Sequence, residues 1–242
     1  MTAGPPRDVD ALVSDKSRTP RMFTAIARRY DLLNHVLSFN VDRSWRRALV
    51  AYARAHVGER VLDVATGTGD VAIEFARRTR VASVVGLDPS DGMLEVGHGK
   101  LLRDPQPRIH LVMGDALTLP LADASVDVVS IAFGLRNLPD YDAGVREMVR
   151  VLKPGGRLVV LEFLPPRGAA LLAYRIYLGA VLPIAGRAIS GSGEAYGYLS
   201  ASIQEFMQVS EVRELLTSAG LRRVESRQLS GGIASLYRGV KS

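Results

Sequence analysis

The chain contains no cysteine, which excludes disulfide frameworks, thiol nucleophiles, thiolate zinc sites and iron–sulfur clusters. Histidine is scarce as well. His35, His56, His98 and His110 stand apart, without the paired spacing of a helix-borne metal motif, so no metal is expected. Long apolar runs are missing: the longest uncharged stretch, residues 176–186, has 11 residues, against the ~20 that a membrane-spanning helix needs. The N-terminal stretch carries no apolar signal core. A cytoplasmic location is the expectation. Aromatics amount to 6 % and no concentrated Lys/Arg block occurs, so nucleic acid is not an expected partner, although a net charge of +6 and a pI near 9.8 alone would suggest one.

What is present is enough for one large α/β domain: 242 residues, 47 % of them hydrophobic. The charge is segregated. Residues 1–60 carry a net +5, residues 61–150 a net −4 and residues 151–242 a net +5. An acidic middle between basic flanks is an arrangement that function should explain.

Residues 1–15 are small, proline-containing and weakly periodic, and read as a mobile lead-in. A single domain is expected over 16–242. Between Met22 and His56 apolar residues recur at helical spacing, giving an N-terminal helical cap over 16–57. From Gly58 the pattern changes. Five short β-branched runs follow, around Val61–Ala65, Val84–Asp88, Ile109–Val112, Val126–Ile131 and Arg157–Leu161, each bounded by Gly, Pro or Asp. Helix-compatible stretches (Val71–Arg78, Gly92–Leu101, Asp142–Leu152) separate most of them, and strand–helix alternation implies a parallel sheet covered on both faces. This cofactor-binding core spans 58–166. Residues 167–206 are helix-like again and are expected to cover the site. The chain closes, over 207–242, with a helix at Val209–Ala219 and two strands, near Arg223–Leu229 and Ile233–Val240.

In such a sheet ligands bind at the carboxyl ends of the strands, where strand order reverses. The first strand ends in Asp63-Val64-Ala65-Thr66-Gly67-Thr68-Gly69-Asp70. Gly67 and Gly69 can take positive φ and let backbone approach a ligand. Asp88 ends the next strand, 19 residues after Gly69, where a carboxylate can accept both ribose hydroxyls of an adenosine-containing cofactor. A dinucleotide pyrophosphate sits on a glycine-lined helix N-terminus, but here Asp70 opens the helix and would repel it. S-adenosylmethionine, which lacks phosphate and bears a sulfonium and an ammonium, suits an acidic loop better. Asp63 can orient the loop or reach the amino group. Asp115 and Ala116 follow the third strand, where an adenine amine needs an acceptor.

Together, Asp63–Asp70, Asp88, Gly114–Ala116 and Leu152-Lys153-Pro154-Gly155-Gly156 resemble the Rossmann-like S-adenosylmethionine-dependent methyltransferases. More narrowly, Tyr30-Asp31-Leu32-Leu33-Asn34 with Ser38 and Trp45, Phe133-Gly134-Leu135-Arg136-Asn137, and Arg150 through Phe163 resemble the quinone-biosynthesis C-methyltransferases. The resemblance runs from about Lys16 to the end of the chain. It implies a mostly parallel seven-stranded sheet with the final strand antiparallel, and S-adenosylmethionine as methyl donor with no metal. It further implies a polyprenylated quinol substrate, demethylmenaquinol or the benzoquinol precursor of ubiquinone. Thr68, Asp88, Asp115 and Ala116 are then cofactor contacts and Arg136 lies at the substrate end. The chain departs from the pattern in three places: Ala132 where members often have Ser, Asp42 where many have His, and Leu164-Pro165 in place of a polar pair.

Carbon methylation needs a quinolate, so the site should stabilise an oxyanion, a task for which the always-charged Arg136 is suited. Tyr30 and Asn34, at i, i+4 spacing, can face the site together, and Asn137 adjoins Arg136; these are the candidate catalytic (Arg136, Tyr30) and substrate (Asn34, Asn137) residues. The apolar segment 169–186, interrupted by Arg175 and Pro183, is a candidate wall for the prenyl tail or an interfacial helix. Basic flanks favour peripheral contact with anionic lipid. A homo-oligomer is left open. The competing readings are a small-molecule methyltransferase on the same scaffold and a non-catalytic S-adenosylmethionine-binding regulator.

Overall fold

The computed structural model describes residues 16, 19–38, 40–164 and 194–242, the side chains of 32–37 and 194–196 excepted. Two helices open it, α1 (Thr19–Leu37) and α2 (Val41–Ala53), with Asn40 between them in the left-handed region at φ 61°. Then come β1 (Arg60–Val64), α3 (Asp70–Arg78), β2 (Ser83–Asp88), α4 (Asp91–Arg103), β3 (Ile109–Met113) and β4 (Val126–Ala132). A 3₁₀ turn at Leu135–Asn137, α5 (Tyr141–Val151) and β5 (Leu152–Phe163) complete the alternating part; α6 (Glu194–Gln204), α7 (Val209–Ser218), β6 (Leu221–Leu229) and β7 (Ala234–Lys241) close it.

The seven strands form one sheet in the order β3-β2-β1-β4-β5-β7-β6. Pairing is parallel from β3 through β5, and β7 lies antiparallel between β5 and β6. Alternation of side chains along the strands explains the two-faced core. Val61, Val128, Val159 and Leu236 turn to one face, where they pack with Leu49 of α2, Phe75 of α3 and Leu94 of α4. Their neighbours Leu62, Val129, Val160 and Tyr237 turn to the other, under Met148 of α5 and Leu216 of α7. The observed elements match the periodicity to within a few residues. The exception is β5, which the Lys153-Pro154-Gly155-Gly156 stretch was expected to delay. The strand begins at Leu152, pairs there with Val126, and takes up regular register again at Arg157 opposite Val128. The extra residues, with Gly155 at φ 78°, bulge out of the ladder. The segment 169–186 lies outside the described residues. No described helix is long and apolar enough to cross a membrane.

Candidate functional site

Strand order reverses between β1 and β4, and a crevice opens above their carboxyl ends. Each of these strands is followed by a non-glycine residue in the left-handed region: Ala65 at φ 51° and Phe133 at φ 57°. Such conformations cost on the order of 1–3 kcal/mol each and persist only where surrounding structure enforces them. The two strand ends also touch. A Cβ on Gly134 would lie 2.6 Å from the Cβ of Ala65, so only glycine at 134 admits this approach.

Above this junction lies a cavity of about 240 Å³. Tyr30, Gly67, Asp88, Asp115, Ala116 and Asn137, all singled out from the sequence, are among its walls. Gly67 adopts φ 58° and has nothing within 4 Å of the place where a Cβ would stand, so its backbone is open to a ligand. Asp88 is buried; its Oδ2 accepts from the Gly67 N–H at 2.8 Å and its Oδ1 from the Ser90 N–H at 2.9 Å. Burial pushes its carboxyl up to about 6, with the two backbone donors opposing the rise. Asp115 accepts from the Leu117 N–H at 2.9 Å, which fixes the turn after β3. Ala132, the position where family members often carry Ser, is also in the wall.

The other predicted residues sit one layer away. Asp63 is buried beneath the loop, where its carboxylate accepts from Thr66 Oγ1 at 2.6 Å and from Ser130 Oγ at 2.7 Å. Burial raises it to about 7, the Thr66 and Ser130 hydroxyls working against the rise. Gly69, at φ 81°, starts α3 and packs against Leu111. The Thr68 hydroxyl donates to Asp31 at 2.6 Å and accepts from Lys100 at 2.8 Å. Lys100 also pairs with Asp31 at 2.7 Å and with Asp70 at 2.5 Å, and Arg46 approaches Asp70 at 3.9 Å. Asp70 therefore does not present a free charge to a ligand, as the sequence suggested; it ties α3 to α2 and α4. Asn34 falls in α1 with its side chain outside the described residues.

Arg136 is buried at the turn after β4. Its Nη1 donates to Glu162 Oε1 at 2.6 Å and to the Phe133 carbonyl at 2.7 Å, while its Nε is buried without a partner among the described residues. Burial is the strongest single influence and acts to lower its pKa, but Glu162 together with Tyr30 and Tyr198 holds it above the ordinary value. Asn137 Nδ2 donates to the same Phe133 carbonyl at 3.3 Å, and its Oδ1 accepts from Tyr198 of α6 at 2.9 Å. Phe133 itself stacks at 4.5 Å on Phe163, and Trp45 meets Phe163 edge-on at 5.9 Å. Asp42, another of the departures, is buried against Arg46 and accepts from Ser38 at 2.6 Å.

Sequence reasoning missed several wall residues. Met93, five positions after Asp88, is an apolar residue of the first turn of α4 and so faces the strand ends; that offset was a usable signal. Lys16, Thr19, Pro20 and Phe23 also line the cavity, brought there by the entry to α1. For Lys16 no periodicity existed to read.

The family model for the ubiE/COQ5 methyltransferase family matches residues 11–241. The chain belongs to that family. Among curated relatives it is 48 % identical over 221 residues to the demethylmenaquinone methyltransferase of Deinococcus radiodurans, covering 91 % of each chain. To the ubiquinone/menaquinone biosynthesis C-methyltransferase UbiE of Geobacter sulfurreducens it is 46 % identical, over 95 % of this chain and 91 % of the relative. Among solved structures, an S-adenosylmethionine-dependent methyltransferase from Aquifex aeolicus superposes with a TM-score of 0.60 at 17 % identity, over 81 % of this chain and 89 % of that one. The [4+2]-cyclase SpnF superposes with a TM-score of 0.68, also at 17 % identity, over 92 % and 94 % of the two chains. A cyclase and a methyltransferase on one scaffold show that this likeness carries the fold alone.

Proposed function

We propose that this protein transfers a methyl group from S-adenosylmethionine to a ring carbon of a prenylated demethylnaphthoquinol, converting demethylmenaquinol to menaquinol. The carrying observation is the 48 % identity, across 91 % of both chains, to a relative named for that reaction. The cavity walls fit the methyl donor. Gly67 offers open backbone, Asp88 an acceptor for ribose hydroxyls, and Asp115 with Ala116 a border for the adenine; among the described wall residues the one cation, Lys16, comes from the N-terminal segment and not from the strand ends. Asp63 and Thr68 serve this site from the layer beneath by holding the loop in shape.

When bound, S-adenosylmethionine supplies an electrophilic methyl on a sulfonium sulfur for in-line displacement from about 3–3.5 Å. The ring carbon is nucleophilic only when the quinone is reduced and a neighbouring hydroxyl has given its proton to water. After C–C bond formation the ring C–H proton returns to that oxygen, so one proton is released overall. As wall residues, Tyr30 and Asn137 are our candidates for hydrogen bonds to the quinol oxygens. Arg136 positions Asn137 through the Phe133 carbonyl that both of them hold. The basic segments on either side of the acidic core favour contact with an anionic bilayer, where the prenylated substrate resides.

Labelled S-adenosylmethionine with a short-tailed demethylmenaquinone, with and without dithionite, tests the reading. Methyl incorporation under reduction alone is expected, and none in either condition overturns it. A benzoquinol arm separates the ubiquinone precursor, which the Geobacter relative's name also covers. Co-sedimentation with anionic liposomes at low salt tests the membrane contact, and absence of pelleting overturns that part.

A further inference from the structure

Arg136 is the cation expected at the substrate end, but it is not among the cavity walls, and its Nη1 is taken up by Glu162 and the Phe133 carbonyl. Among the described wall residues the one cation is Lys16. Its side chain crosses from the N-terminal segment to α5, where Nζ donates to the Tyr141 hydroxyl at 2.5 Å and lies 4.3 Å from the centre of the Tyr141 ring. The Tyr141 hydroxyl in turn donates to the Arg136 carbonyl at 3.4 Å. The ammonium is thus held by an aromatic face and a phenol oxygen, and Lys16 itself forms part of the cavity wall.

Resting on the function proposed above, we infer that Lys16 is the group that binds the quinol oxygen next to the methylated carbon and stabilises it as the oxyanion. The step is the loss of that hydroxyl's proton to water, with the ammonium remaining protonated and donating to the oxygen left behind. No electrons move, and the anion then has the charge density to attack from carbon. Four charged or titratable groups face Lys16. They are Tyr141 from α5, Arg136 from the 3₁₀ turn, Glu162 from β5 and Glu205 from the end of α6. Burial lowers the Lys16 pKa, Arg136 adds to the lowering, and Glu205 and Glu162 oppose it. A partly desolvated ammonium donates a stronger hydrogen bond than one in water. Burial likewise raises Tyr141 to about 12, so its hydroxyl stays protonated and does not compete as an anion for Lys16.

The test uses the full-length enzyme with S-adenosylmethionine and reduced short-tailed demethylmenaquinone. Lys16→Met is expected to lower kcat/KM for the quinol by about a hundredfold, the loss typical of one oxyanion donor. Its affinity for S-adenosylhomocysteine should stay within twofold, which also reports an intact fold. The rise of kcat/KM with pH, which follows quinol ionisation, should move upward by about one unit or more in Lys16→Met, because the ammonium no longer favours the anion. Lys16→Arg should recover part of the rate, and Tyr141→Phe should lose about tenfold by freeing the ammonium to wander. A Lys16→Met enzyme within threefold of wild type, or one slowed equally at every pH and not rescued by arginine, overturns the assignment while leaving the function standing. A wild-type enzyme that methylates no reduced quinol overturns both.

Discussion

Arg136 and Glu162 form a buried pair in which Nη1 reaches Oε1 at 2.6 Å and the Arg136 backbone N–H reaches Oε2 at 3.2 Å. Glu162 also accepts from the Phe163 N–H at 2.9 Å, so one carboxylate anchors the end of β5 and the turn after β4 together. Arg136 is thereby a fixed support behind the turn that carries Asn137 into the cavity wall. Neither partner has water to fall back on: the side chains are 4 % and 0 % exposed.

Removing the charge of one partner should therefore be far more harmful than removing both. Glu162→Gln leaves a buried guanidinium without its counter-ion and is expected to destabilise by about 3–5 kcal/mol in urea unfolding. Arg136→Met with Glu162→Leu should recover much of that stability while remaining inactive. Arg136→Lys should lower turnover more than cofactor binding, because the lysine cannot hold both Glu162 and the Phe133 carbonyl. If turnover and cofactor affinity fell in parallel, Arg136 would belong to the cofactor side instead.

If Asp88 holds the cofactor ribose, as proposed, cofactor affinity is expected to depend on pH. Ribose hydroxyls donate best to the carboxylate, and burial has raised Asp88 to about 6. Affinity for S-adenosylhomocysteine, measured by calorimetry, should be level above pH 7 and fall below pH 6 by about tenfold per unit. Asp88→Asn should bind weakly with no such slope. An affinity constant from pH 5 to 8 in the wild type would show that Asp88 does not hold the ligand.

For Asp63 the linkage acts on stability. Its carboxyl titrates at about 7 in the folded chain against 3.8 as a free group, so between those values the folded state holds a proton that the unfolded state lacks. The associated stability is fully present below about pH 4 and is lost as pH rises through 7, a span of roughly 4 kcal/mol at most. Asp63→Asn preserves the shape and can exchange hydrogen bonds with Thr66 and Ser130. Its urea midpoint should change less between pH 5 and 8 than that of the wild type. Parallel curves for the two proteins would mean that Asp63 is ionised throughout.

Much of this was legible in the chain itself. Strands β1 to β4 declared themselves because β-branched residues alternate between the two core faces, and Gly67 and Gly69 take the positive φ that their place after β1 required. Which charges cancel was not legible. Asp70 reads as a free carboxylate until the fold brings Lys100 to it from α4, and Arg136 reads as a free cation until β5 delivers Glu162. The expectation of S-adenosylmethionine rests on an acidic loop whose Asp70 turns out to be paired. Asp88, at the end of β2, carries that argument better. Lys16 was invisible because it precedes the first periodic segment, and only tertiary packing against Tyr141 gives it a place.

The junction of β1 and β4 offers the most direct test of geometry. Gly134→Ala brings a Cβ to 2.6 Å from the Ala65 Cβ and 3.1 Å from Ile131 Cγ1. Ile131 is fully buried, and Ala65 already sits at φ 51° with its neighbour Thr66 tied to Asp63, so neither can yield without moving the cofactor loop. Overpacking of this kind costs about 1–3 kcal/mol. Part of it should appear as weakened S-adenosylhomocysteine binding, because the displaced element is the Ala65–Gly67 wall. Thermal unfolding with and without the ligand separates the two contributions: the variant should melt lower and also gain less from the ligand than the wild type. A variant that melts lower but keeps the full ligand-induced gain would place the strain elsewhere, in Ile131 and the core beneath β4.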